Sequence, residues 1–161
     1  MAWTDGRTWA AADLVTAAKM NEISASLNAL GGAWASYTPV WTAAGTAISE
    51  VNATISGKHR TVGKTVDFRI FIIMGSSTTY GTSVYNFTLP STPTLASWEA
   101  IDGSVVCTDT SASDRYGLLP LYSGGGKVTC VNGSASRISN TVPFTWANGD
   151  QLSISGSYEI A

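Results

Sequence analysis

The sequence predicts an antiparallel all-β domain, a β-sandwich of jelly-roll type, preceded by one short α-helix. Three observations carry that expectation. Only one stretch, near the start of the chain, has helical spacing. Apolar residues then recur at every second position in several segments after Tyr37. Gly, Pro and Asn clusters separate those segments at short intervals.

The helical stretch is Ala10 to Leu30, which contains neither Pro nor Gly. Within it, Met20, Ile23, Leu27 and Leu30 are spaced by three, four and three residues. That spacing is a heptad seam, with Asn21, Glu22, Ser24, Ser26 and Asn28 between its positions. Thr16 is placed to cap the segment. Lys19 stands where a capping box would need an acid, and Gly31-Gly32 ends the helix. So short a helix is marginal alone, so the seam needs cover from sister chains or from a larger particle. Folding back onto the chain's own β domain is the plainer alternative.

The period then changes to two. In Lys64–Met74, Val66, Phe68, Ile70, Ile72 and Met74 share a face. The opposite face begins polar, with Thr65, Asp67 and Arg69, and turns apolar with Phe71 and Ile73. An apolar end on an outward face suggests cover by another subunit, which makes Phe71 and Ile73 candidate interface residues. Val51, Ala53 and Ile55 alternate with polar residues, as do Tyr85, Phe87 and Leu89. Ile101, Val105 and Cys107 share one face, and Val128 and Cys130 another. Leu152, Ile154, Tyr158 and Ile160 alternate with Gln151, Ser153, Ser155, Ser157 and Glu159. Turn signals fall at Ala44-Gly45, Gly57, Gly75-Ser76-Ser77, Pro90-Ser91-Thr92-Pro93, Gly124-Gly125-Gly126, Asn132-Gly133 and Asn148-Gly149-Asp150. Together they imply about eight or nine short strands. The expected division is an anchor and oligomerisation helix over 1–36 and a β-sandwich over 37–161.

Composition narrows the function classes. Charged residues make up 12% of the 161-residue chain, against a usual share of about 25%. A surface so poor in charge suggests partial cover by partners. The net charge of −2 argues against nucleic acid as the main partner. No apolar run is long enough to span a bilayer, and Met1–Arg7 has neither the basic nor the apolar part of a signal peptide. Assembly in a cytoplasm, without membrane insertion, is therefore expected. Cys107 and Cys130 lack metal-ligand spacing and read as buried thiols, with a disulfide as the alternative.

No catalytic constellation stands out. His59 is the single histidine, flanked by Lys58 and Arg60, and no Gly-x-Ser-x-Gly turn accompanies it. One His and two separated Cys do not supply a zinc site. Asp109–Asp114 reads as a solvated turn rather than a calcium loop. Gly124-Gly125-Gly126-Lys127 precedes a strand and so reads as a hairpin tip rather than a phosphate loop. The expectation is a non-enzyme with no cofactor and no metal. Lys58, Arg60, Lys64 and Arg69 form a basic concentration, read as a solvated strand edge or as a face for acidic partners. Trp98, Tyr116, Tyr122 and Trp146 lie near turns and are the candidate ligand contacts, since rigid rings stack on sugars or anchor protein contacts. Filling of the core ends is the alternative for Trp98 and Trp146.

Two segments resemble a known class. Thr8–Asn21 looks like the N-terminal stretch of many phage virion proteins: a Trp, small residues, an apolar pair, Thr-Ala-Ala, then an apolar residue and Asn before a helix. Trp34–Gly45, with its Tyr-x-Pro-x-Trp run, and Gly57–Arg69 are similar to the start of β domains in minor tail and virion-surface proteins of actinobacterial phages. His59 departs from that pattern, which commonly has Tyr there. The resemblance covers about the first half of the chain and supplies no catalytic residue. It implies a virion structural protein, attached to other virion proteins through its N-terminus, commonly trimeric, and displaying its β domain outward. Within it, a tail-associated adhesin for a host cell-surface glycan is the first expectation. A capsid decoration or head-fibre protein is the alternative, favoured by the chain's small size.

Overall fold

The computed structural model describes residues 16–30, 32–90 and 101–160, and the side chains of all of these except 28–30. Helix α1 spans Ala17–Leu30. Thr16 starts it as the spacing predicts. Its Oγ1 accepts a bond from the Lys19 N–H (3.3 Å), and its carbonyl accepts one from Met20 (3.0 Å). Met20, Ile23 and Leu27 of the seam stay exposed in the single chain. The Leu30 side chain lies outside the described residues, as do Trp3, Trp9 and Trp98.

Nine strands follow among the described residues: β1 (Ala35–Tyr37), β2 (Trp41–Ala43), β3 (Thr54–Val62), β4 (Thr65–Ile73), β5 (Tyr85–Thr88), β6 (Asp102–Asp109), β7 (Asp114–Gly124), β8 (Lys127–Val131) and β9 (Gln151–Glu159). They pair antiparallel in the order β1-β3-β4-β9-β6-β7-β8-β5-β2. The all-β expectation behind one short helix therefore holds. The strand order does not describe the two separate sheets of a jelly roll, because hydrogen bonding runs unbroken through one sheet that curls on itself.

Two corners produce the curl. At the first, β7 changes partners along its length: Asp114–Leu118 pair with β6, and Leu119–Gly124 pair with β8. Pro120 sits just past the end of the β6 pairing, where its missing N–H leaves no ladder bond unmade. The second corner joins the two ends of the strand order. β1 and β2 are the outermost strands, yet Thr38-Pro39-Val40 alone separates them. The run from Ala35 to Ala43 behaves as one strand bent at Pro39, with its first half on β3 and its second half on β5. Val40 extends the second half: its N–H donates to Thr88 Oγ1 (2.8 Å), and its carbonyl accepts from the Thr88 N–H (3.0 Å). Gly57 makes this bend fit, because a Cβ there would stand 2.6 Å from the Tyr37 ring and 2.9 Å from Pro39 Cδ. Gly57 therefore lies inside β3 and is not the turn that the sequence suggests.

The inward face holds the core. Registered rows cross the sheet from β3 to β7, such as Gly57, Ile70, Ile154, Val105 and Leu118, and below it Ile55, Ile72, Leu152, Cys107 and Tyr116. Tyr85, Phe87, Val128, Cys130 and Trp41 close the interior from the other side. Val51–Ala53, read as part of a strand, instead forms a turn. Asn52 takes a φ of 52° there and braces the next turn through Ser76 Oγ (2.9 Å) and the Ser77 N–H (3.0 Å).

Cys107 and Cys130 are free, buried thiols. Burial pushes the Cys107 thiol from its ordinary 9.0 up to about 12. Burial and, second, the neighbouring Cys107 push Cys130 the same way. Burial also lifts the Tyr158 hydroxyl from 10.0 to about 12. These groups keep their protons when folded at pH values where the unfolded chain loses them. Their contribution to stability is therefore complete below pH ~9 and is lost as pH rises toward ~12. Thermal melts between pH ~8 and ~11 are expected to show a falling midpoint across that range, and a flat profile would contradict the burial of these groups.

Candidate functional site

The outward face of β3, β4, β9 and β6 is a platform whose rows follow from strand register. The first row is Arg60, Asp67, Ser157 and Asp102, and the second is Lys58, Arg69, Ser155 and Ser104. The third is Ser56, Phe71, Ser153 and Val106. Phe71 is 36% exposed and Val106 40%. Ile73, half-buried, stands between Thr54 and Gln151 in the row beyond. The platform thus brings Phe71 and Ile73 onto one outward face, near its end at the β4–β9 pair.

Trp34 lies against the basic rows. The Arg69 guanidinium sits 4.7 Å from its ring centroid and that of Arg60 5.3 Å. Arg60 also has a carboxylate, with Nε 2.8 Å from Asp67 Oδ2. Lys64 falls in the turn between β3 and β4, outside these rows. The basic concentration seen in the sequence therefore divides. Alternation places Lys58 and Arg60 on one face, but their juxtaposition with Arg69 depends on strand pairing, and Trp34 carries no periodic signal.

The candidate contact aromatics are placed differently from one another. Trp146 is core, 3% exposed, and its Nε1 donates to the Ser139 carbonyl (2.9 Å). Phe144 links it to the rim, with centroids 4.6 Å from Trp146 and 5.2 Å from Tyr116. Phe144 sits in an irregular segment, and its spacing of two residues from Trp146 was the only signal for it. Tyr122 stands apart, its hydroxyl accepting the Gly126 N–H (3.2 Å) and bracing its own hairpin.

His59 lies on the inward side of β3, opposite in direction to Lys58 and Arg60, edge-on to Tyr37 at 5.6 Å. Its Nδ1 and the Tyr37 hydroxyl are both buried without a hydrogen-bond partner. Burial, and next the nearby Tyr158, raise the Tyr37 hydroxyl above its ordinary 10.0. Asp109 folds its turn around its own carboxylate, whose Oδ1 accepts from Ser111 Oγ (2.7 Å) and from the Ser111 and Ala112 N–H groups (3.0 Å each). The Ser111 hydroxyl, followed by the Ala112 and Ser111 amides, holds that carboxyl below its ordinary 3.8. Among the described residues no cluster of three or more His, Cys, Asp or Glu is placed to hold a metal ion, and no helix is long and apolar enough to cross a membrane.

No protein-family model matches the chain, and no curated protein matches it. Among solved structures, the fold is similar to part of the Dettilon tailspike protein, with a TM-score of 0.52 and 16% sequence identity over 81% of this chain. The chain spans 24% of the length of that tailspike chain. At that identity the likeness is one of fold: a curled antiparallel sheet of this kind also occurs inside a tailspike.

Proposed function

We propose that the protein is a non-enzymatic component of a bacteriophage tail, assembled as a homotrimer through α1 and presenting its β domain to the host surface. The tailspike-like fold carries this reading. The exposed seam of α1 supports the assembly part. Met20, Ile23 and Leu27 lie at heptad spacing on a helix whose own chain leaves them open. Burying such a side chain contributes roughly 1.5–3 kcal/mol, which favours packing of the seams of sister chains against one another.

Two measurements test the two parts. Light scattering on a sizing column is expected to give three times the 16.8 kDa chain mass for the full chain, and a single chain for Leu27→Asp. An unchanged mass in the variant would reject the seam. Antibody labelling of purified phage particles under the electron microscope is expected to mark the tail. Label on the shell would replace the tail reading with capsid decoration.

A further inference from the structure

We infer that the second outward row is a binding site for an acidic saccharide, with Lys58 and Arg69 taking its anionic group and Trp34 positioning Arg69. This rests on the host-facing reading above and gives it a place and a ligand class.

Among the described residues, the carboxylates of the platform's three rows, Asp67 and Asp102, lie in the first row and not in the row of Lys58 and Arg69. Lys58 and Arg69 are directly registered partners on adjacent strands and point the same way. Like charges placed so are destabilising. Arg60, in the next row, is neutralised by Asp67. Among the described residues no carboxylate pairs with Lys58 or Arg69, and the Arg69 guanidinium rests on an indole ring instead. A guanidinium held over the π face of a ring still has N–H donors to offer a carboxylate or phosphate. The indole also fixes the fork, so less side-chain entropy is lost on binding.

The rest of the row suits a sugar. Ser155 and Ser104 continue it with hydroxyls 3.1 Å apart. Ser153, Ser155 and Ser157 line the outward side of β9, so no bulky side chain obstructs the middle of the platform. Phe71, one row over and partly exposed, offers a ring for the apolar face of a sugar. An acidic peptide fits less well. β4 and β9 are paired on both sides, which leaves no backbone edge there for an added strand.

The test uses the full chain against immobilised alginate, a phosphomannan and neutral dextran. Alginate and the phosphate polymer separate carboxylate from phosphate as the source of the charge. Binding to at least one of them and not to dextran is expected, weakening as salt rises from about 50 to about 200 mM. Lys58→Glu with Arg69→Glu is expected to lower affinity at least about tenfold. Lys64→Glu, away from the row, is expected to leave it unchanged. Trp34→Phe is expected to keep most binding and Trp34→Ala to lose it, with melting midpoints showing that each variant is folded. Absence of binding to both anionic polymers, equal binding to dextran, or full affinity in the folded double-Glu variant would overturn the site. Tail labelling without glycan binding would sink this site and leave the tail reading standing. Shell labelling with glycan binding intact would do the reverse.

Discussion

Trp41→Ala is expected to cost about 3–5 kcal/mol of folding stability, the range for emptying a large aromatic from a core. Trp41 opens β2 immediately after the Pro39 bend and is 3% exposed. Its ring stands edge-on to Tyr85 at 5.2 Å and lies nearly parallel to Phe87 at 6.3 Å. Removing it opens a void just past the bend, where the second half of the bent strand packs on β5. Trp41→Phe gives the contrast. The buried Nε1 of Trp41 has no hydrogen-bond partner, and an orphaned donor costs about 1–3 kcal/mol. Phenylalanine removes that donor while keeping an aromatic ring, so its loss is expected to be much smaller. Urea denaturation of the three proteins, compared at constant slope, measures both differences. A loss below about 1 kcal/mol for the alanine variant would show that the corner is not held by this ring.

Asp150→Ala is expected to cost about 1.5–3 kcal/mol by a polar route, the range for hydrogen bonds to a charged group. Asp150 is 1% exposed and its carboxylate accepts three hydrogen bonds. Oδ1 accepts from the Thr110 N–H (2.9 Å) and hydroxyl (3.0 Å), and Oδ2 from the Ala147 N–H (2.7 Å). Its backbone carbonyl accepts from Met74 (2.8 Å). One residue thus ties the β6–β7 turn, the turn before β9 and the end of β4 together. Alanine leaves the Thr110 and Ala147 N–H groups without this acceptor at once. Asparagine keeps an acceptor for Thr110 but turns an N–H toward the Ala147 N–H, so its cost is expected to be intermediate. Equal midpoints for the aspartate and alanine proteins in a thermal melt would mean that the three turns are held by other contacts.

What could be read from the sequence was local. The Thr16 cap, the alternation of Val66 to Met74 and that of Leu152 to Tyr158 all depend on neighbours within a few residues, and each appears as expected. Gly57 misled because glycine marks both turns and close approaches. Here the approach of Tyr37 and Pro39 requires it, and those residues lie about twenty positions earlier. β7 was hidden because Gly117 and Pro120 break its pattern, and both sit where the strand changes partners. The Tyr37-x-Pro39-x-Trp41 run was visible, but its role as the joint between the two ends of the strand order was not. The binding platform was legible only as a basic concentration. Its content, Arg69 opposite Lys58 and Trp34 over Arg69, arises from register and packing across the sheet.

The position of β9 has a consequence for how the chain is made. β9 is inserted between β4 and β6, although all the other strands precede it in the chain. Until the ribosome has released the residues up to about Glu159, the facing edges of β4 and β6 have no partner. Val66, Phe68, Ile70 and Ile72 on one side and Val105 and Cys107 on the other then wait with open backbone and uncovered apolar faces. A nascent chain in that state is a template for pairing with its neighbours on the same polysome. The association through α1 proposed above would bring sister chains close enough to donate the wrong strand. Arrival of the ninth strand closes both edges at once and ends that exposure.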